Sequence, residues 1–256
     1  MTGGVLDVVI PTTPAEAAEA FGDGDGITVL AGGTVVMPEL NYGRLRPGKV
    51  LMLGRSGLDT ITREGGVVTI GAGVSVAALE ALDEPLATAA QHVGDGEIRA
   101  QATLGGNLCA EPGAETPRGD LQAPLIVLGA RVHSTGKGGE RTEPVEDFIA
   151  GGMEGRLVLD VAYDEAGRKT AYTAAWRPHT HHYSILTVAG AKTGDELRLA
   201  ATGAAPHAVR LTSVEASGNP EDALKDTDLR DDALASAWYR STVLPKLVAR
   251  VLDDLA

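Results

Sequence analysis

Between Gly26 and Asn41 the chain reads GITVL, AGG, TVVMPELN: a β-branched run, two adjacent glycines, then a helix start. A strand that feeds a helix through so tight a turn folds as one half of a β-α-β unit. Neighbouring segments repeat the alternation. PTTPAEAAEAF opens a helix in which Thr13 is the N-cap, Pro14 takes the first helical position and Glu16 completes a capping box. Pro38 is tolerable in the second helix only near its first turn. KVLML and GVVTIGA are further strands, and SVAALEAL is a helix that Ser75 caps. PLATAAQHVGDGEIRAQATLGGNLC reads as a helix, a loop and a second Gly-Gly turn, and DLQAPLIVLGARVHS as a helix entering a strand.

The texture changes after Gly152. RLVLDVAYDEAGRKTAYTAAWR carries two strand-like runs around DEAGRK, a hairpin signal, and YSILTVAGAKTGDELRLAATGAA repeats it with KTGD as the turn. In the last segment Leu244, Leu247, Val248, Val251, Leu252 and Leu255 share one helical face, read as packing within its own domain. The expectation is an α+β chain: residues 1–152 form an α/β domain of two subdomains, and 153–256 a smaller antiparallel sheet with helices.

A net charge of −13 argues against nucleic acid or an anionic membrane as partner. No apolar run reaches transmembrane length, and the first twenty residues lack the basic and apolar regions of a signal peptide, so a cytoplasmic location without membrane insertion is expected. The single cysteine, Cys109, excludes an internal disulfide and a cysteine-held iron–sulfur cluster on this chain alone. Redox chemistry here would need an organic cofactor or a cluster on another subunit.

Glycines let the backbone take positive φ and let a ligand approach without meeting a Cβ, so a strand–Gly-Gly–helix turn suits a phosphate. It also suits an ordinary tight turn. The usual nucleotide motifs are absent: no lysine follows the glycines, and GAGVSVA has Val76 where a dinucleotide fingerprint needs its last small residue. The second motif, IRAQATLGGNLC, is followed by Asp120 ahead of a helix. Two such turns could cradle a pyrophosphate, with a carboxylate beyond them for a chain of hydroxyls.

LAGGTVVMPELNYGRLRP together with IRAQATLGGNLC and GDL resembles the FAD-binding medium subunit of the molybdenum hydroxylases, the xanthine dehydrogenase and carbon monoxide dehydrogenase flavoproteins. The likeness continues through GGERTEPVEDFIAG, HYSILTVAGA and ATGAAPHAVRLTSVE to the last helix. The resemblance implies a two-subdomain FAD-binding domain of the PCMH type. Leu30, Ala31, Gly32, Gly33, Thr34, Val35 and Val36 match its first FAD loop, whose amides hold the pyrophosphate. Thr103, Leu104, Gly105, Gly106 and Asn107 match the second loop, and Asp120 the aspartate near the ribityl and ribose hydroxyls.

It further implies a molybdenum–pterin large subunit and a small subunit with two 2Fe–2S clusters, in a dimer of heterotrimers. Electrons would reach FAD here and pass to NAD or another acceptor, with no catalytic side chain and no metal on this chain. A self-contained flavin oxidoreductase and a scaffold that has lost FAD are the alternatives. Three departures stand out: Ala174 replaces the lysine of a Tyr-x-Lys-x-x-Arg pattern, the Asn107–Asp120 segment is long, and the Phe148–Leu157 connection is short.

Several residues have a plain reading beside a functional one. His179, His181 and His182 read as a strand entrance rather than a metal site. Cys109 reads as a small buried hydrophobe or a neighbour of the cofactor. Tyr42, Arg44 and Arg46 are solvated helix-end residues or face a flavin or partner. Trp176 is a core tryptophan or a flavin stacker.

Overall fold

The computed structural model describes residues 7–110, 119–165, 167–176 and 184–256. His179, His181 and His182, and much of the Asn107–Asp120 segment, lie outside them. The chain runs β1 (Asp7–Val9), α1 (Pro14–Phe21), β2 (Ile27–Leu30), α2 (Val36–Asn41) and β3 (Lys49–Met52). These strands form a parallel sheet in the order β1-β3-β2. The Thr13 hydroxyl accepts from the Glu16 N–H (3.1 Å). The Glu16 carboxylate reaches one residue further back than a capping box requires, to the Thr12 N–H (2.7 Å) and hydroxyl (2.8 Å).

Next come β4 (Ile61–Glu64), β5 (Val67–Gly71), α3 (Val76–Leu79), α4 (Leu86–Gln91), α5 (Gly96–Gln101), α6 (Leu104–Leu108) and α7 (Gln122–Val127). They are followed by β6 (Arg131–Gly136), β7 (Arg141–Pro144), α8 (Val145–Ala150) and β8 (Arg156–Asp164). The strands build an antiparallel sheet ordered β4-β5-β8-β6-β7. GVVTIGA is therefore a strand, as expected, but not part of a β-α-β unit. The second Gly-Gly is no loop either: Gly105 and Gly106 lie inside α6, whose N-cap is Thr103.

The expected hairpin around DEAGRK needs correction. β8 pairs with β5 and β6 at the centre of the second sheet, so the sheets divide after Asp164. The next strand, β9 (Lys169–Ala175), pairs with β10 (Leu186–Thr193) instead. The physical reason is burial on both faces. Leu157 and Leu159 pack with Phe21, Leu51 and Leu53 of the first layer, while Val158, Val161 and Tyr163 join the main core. A strand buried on both sides reads as a continuous apolar run that carries no sign of its partners.

The last layer is the antiparallel sheet β12-β11-β10-β9, with β11 (Glu196–Thr202) and β12 (Val209–Arg210). The KTGD hairpin is present, with Thr193 opposite Glu196. After α9 (Thr212–Ser217) and a 3-10 turn (Pro220–Asp226), α10 (Ala237–Leu255) covers one face of the sheet with Leu244, Val248, Val251 and Leu255. Gly190 lets it approach: a Cβ there would meet Val251 Cγ1 at 2.6 Å and Leu255 Cδ1 at 2.7 Å. The opposite face presents Ala189, Ala191 and Ala200 to the core that contains α7. No helix among the described residues is long and apolar enough to cross a membrane.

Candidate functional site: a glycine-lined cavity

The turn leaving β2 and the helix α6 meet across a cavity of about 340 Å3, closed on a third side by the start of β8. Ala31, Gly32, Gly33, Thr34, Val35 and Val36 line it from the first motif, and Thr103, Gly105, Gly106 and Asn107 from the second. Leu30, Leu104 and Asp120 are not in its wall. Leu104 is fully buried in the core, and Asp120 is 1% exposed at the turn before α7.

The glycines have distinct physical causes. Gly33 sits at φ +75°, where an L side chain is strained. A Cβ on Gly32 would lie 1.9 Å from the Gln101 carbonyl oxygen, so this glycine lets the turn pass against the end of α5. Gly105 is pinned on Ala72, with 2.9 Å from its would-be Cβ to the Ala72 Cβ. Close packing between the two motifs therefore accounts for Gly32, a cause the sequence reading did not contain.

Their donors differ too. Among the described residues, the N–H groups of Gly32, Gly33, Thr34 and Val35 donate to no protein acceptor, yet all four residues line the cavity. In α6 the amides are taken. Leu104 N–H donates to Val74 O (2.9 Å), Gly105 N–H to Ala72 O (2.9 Å), Gly106 N–H to Thr103 Oγ1 (3.2 Å) and Asn107 N–H to Thr103 O (2.9 Å). The Asn107 side-chain oxygen, Oδ1, accepts from Leu121 N–H (2.9 Å), tying α6 to α7. The cavity thus has one face of free amides and one face of shape.

Arg156, which the sequence reading passed over, also lines the cavity and is 8% exposed. Its guanidinium donates to Ser134 O (2.7 Å), Lys137 O (3.0 Å) and Gly139 O (2.9 Å), and to the Ser134 hydroxyl. Burial, followed by the nearby Arg141 charge, holds its pKa below the ordinary arginine value. A lone arginine at a strand entrance was the only signal for it.

Cys109 is half-buried in the cavity wall. Trp176 is 51% exposed, not a core residue, and its ring lies 5.0 Å from that of His92, which in turn lies 5.6 Å from Tyr172. Burial, then the Asp120 charge, raises the Tyr172 pKa strongly. Tyr42 is 74% exposed, with the Arg44 guanidinium stacked 4.8 Å above its ring and paired to Glu39.

An apolar cavity edged by unpaired amides fits an elongated ligand with a pyrophosphate. Known proteins similar to this chain identify its family. Residues 4–162 match the family described as the FAD binding domain in molybdopterin dehydrogenase. The chain is 32% identical to caffeine dehydrogenase subunit beta of Pseudomonas sp. over 60% of its own length and 54% of that protein's. It is 26% identical to the 6-hydroxypseudooxynicotine dehydrogenase complex subunit alpha of Paenarthrobacter nicotinovorans, covering 96% and 93% of the two chains. In fold it is similar to a chain of the carbon monoxide dehydrogenase of Hydrogenophaga pseudoflava, with TM-score 0.84, 24% identity, and 98% and 96% of the two chains covered. The match over residues 4–162 settles the family: this chain belongs to the FAD-binding domain family of the molybdopterin dehydrogenases.

Proposed function

We propose that the chain is the electron-transfer flavoprotein subunit of a molybdenum-dependent hydroxylase complex, with FAD in the glycine-lined cavity. The four amides from Gly32 to Val35 carry this reading, because among the described residues none of them donates to a protein acceptor and all four residues line an apolar cleft, where an anion would accept from them. These amides hold the pyrophosphate, and the Gly105–Gly106 face of α6 admits it by offering no Cβ. Thr103 and Asn107 fix the depth of that face. Arg156 adds a fixed positive charge near the site whose hydrogen bonds go only to neutral groups.

FAD, when bound, supplies the exchange between single-electron carriers and a two-electron acceptor, while the protein binds and orients it. Electrons come from 2Fe–2S clusters on a small partner subunit, after chemistry on a molybdenum-bearing large subunit, and leave to NAD or another acceptor. Assembly is as a dimer of heterotrimers in the cytoplasm. Leu30, Leu104 and Asp120 act behind the wall, holding the turn, the α6 helix and the segment before α7.

The test is the near-ultraviolet and visible absorbance of the purified chain, before and after FAD loading and desalting. Retained flavin bands are expected, and Gly33→Asp, which sets a charge and a Cβ at φ +75°, removes them while far-ultraviolet circular dichroism is kept. A folded, colourless chain that FAD cannot load overturns the reading.

A further inference from the structure

The side of the glycine-lined cavity that β8 closes carries a buried charge without a protein counter-ion. Arg156 lines the cavity and is 8% exposed. Its Nη1 donates to Lys137 O (3.0 Å) and Gly139 O (2.9 Å), and its Nη2 to Ser134 O (2.7 Å) and Ser134 Oγ (2.9 Å). Nε lies 3.3 Å from the same hydroxyl. The whole fork is therefore held by uncharged oxygens of β6 and of the turn that follows it, and the charge is fixed in place. Among the described residues Arg156 forms no salt bridge. Burial is the main influence on its ionisation; the two charges that also act on it, Arg141 and Glu143, are paired with each other at 2.5 Å.

Bracing the turn between β6 and β7 requires donors but not a charge. A buried cation with no carboxylate carries a desolvation cost that its carbonyl partners only partly offset, and an anion in the adjoining cavity lowers that cost. Two further observations point the same way. Gly32 to Val35, from a different element, bring to this cavity four N–H groups that donate to no protein acceptor among the described residues. The chain as a whole has a net charge of −13, so its overall field opposes an anionic ligand and a local positive charge is needed to hold one.

We propose that Arg156 is the specificity-determining cation of the cavity: it acts as the electrostatic counter-ion of the ligand's pyrophosphate, through its charge rather than through a direct hydrogen bond. The proposal rests on the flavin reading of the same site and adds the residue by which that site selects a diphosphate.

The test uses the full apo chain as parent, Arg156→Lys and Arg156→Gln, with folding checked by far-ultraviolet circular dichroism. FAD affinity is read by fluorescence titration. Binding of inorganic pyrophosphate, at constant ionic strength, is read by the rise in melting temperature. Arg156→Gln, which removes the charge and keeps a donor, is expected to weaken FAD roughly tenfold and to abolish the pyrophosphate-dependent rise. Arg156→Lys, which keeps the charge and loses the fork, is expected to stay within about threefold of the parent and to retain the rise. A pyrophosphate response in Arg156→Gln equal to the parent's, or a folded Arg156→Lys as weak for FAD as Arg156→Gln, leaves Arg156 as a brace for the turn and overturns the proposal. If Arg156→Gln does not fold, Arg156→Lys decides alone: loss of the pyrophosphate response in the folded protein is the overturning result. A parent that responds to pyrophosphate but takes up no FAD fails the flavin reading and not the assignment of Arg156; a parent that responds to neither overturns both.

Discussion

At the scale of single residues, two glycines that look alike in sequence are under different constraints from their neighbours. Gly32→Ala would drive a Cβ to 1.9 Å from the Gln101 oxygen, a backbone atom that cannot swing aside. The expected cost is about 3 kcal/mol, the upper part of the range for overpacking, read from urea denaturation. Gly96, at the first position of α5, has φ outside the positive region and nothing within 4 Å of a Cβ. Gly96→Ala is expected to gain roughly 0.5 kcal/mol by stiffening the unfolded chain. A near-neutral Gly32→Ala would show that the two motifs can separate. Tyr163 makes a titration prediction. Its phenol lies near 10.0 when unfolded and about 12 when folded, so the folded state holds the proton more tightly. That contribution is complete below pH 10 and falls by about 1.4 kcal/mol per pH unit as pH rises from 10 toward 12. Subtracting the Tyr163→Phe stability curve from the parent's should isolate this slope, and parallel curves would place the phenol in water.

At the scale of elements, local signals identified most pieces but not their partners. Thr13, Ser75 and the KTGD turn act as a sequence reading expects, because caps and turns are decided by residues three or four apart. β8 is the counterexample. Its run from Leu157 to Val161 marks a strand, yet its two partners, β5 and β6, lie at distant points of the chain. The same limit hid the role of Arg156, whose acceptors Ser134, Lys137 and Gly139 come from the β6 region. The first motif was legible because its turn is local; the engagement of the α6 amides depends on Ala72 and Val74 and was not. A fragment ending at Gly152 therefore lacks the central strand of its larger sheet. It is expected to show no cooperative unfolding, whereas extension to Glu165 restores hydrogen-exchange protection at Val68, Ile70 and Val132. Equal protection in the shorter fragment would mean that β5 and β6 hold without β8.

At the scale of the whole molecule, the C-terminal layer is joined to the cavity through α7. Gln122 is fully buried at the start of that helix. Its side-chain N–H donates to Leu108 O at the end of α6 (2.8 Å), and its carbonyl accepts from Ala208 N–H in the segment after β11 (3.0 Å). One amide therefore links the helix that forms a cavity wall to the terminal sheet. Ala189, Ala191, Ala200 and Ala208 add apolar continuity, since they belong to the same buried cluster as Leu104 and Leu125. A shared core of this kind makes the layers unfold together. Gln122→Met keeps the volume but leaves the Leu108 carbonyl and the Ala208 N–H buried without partners. At ~1–3 kcal/mol for each stranded group, the loss should be ~2–6 kcal/mol. Calorimetry of the parent is expected to give one transition. The variant should split it, with the C-terminal layer melting first and flavin affinity falling as α6 loosens. A single transition at the parent temperature would mean that the alanine contacts alone hold the two regions together.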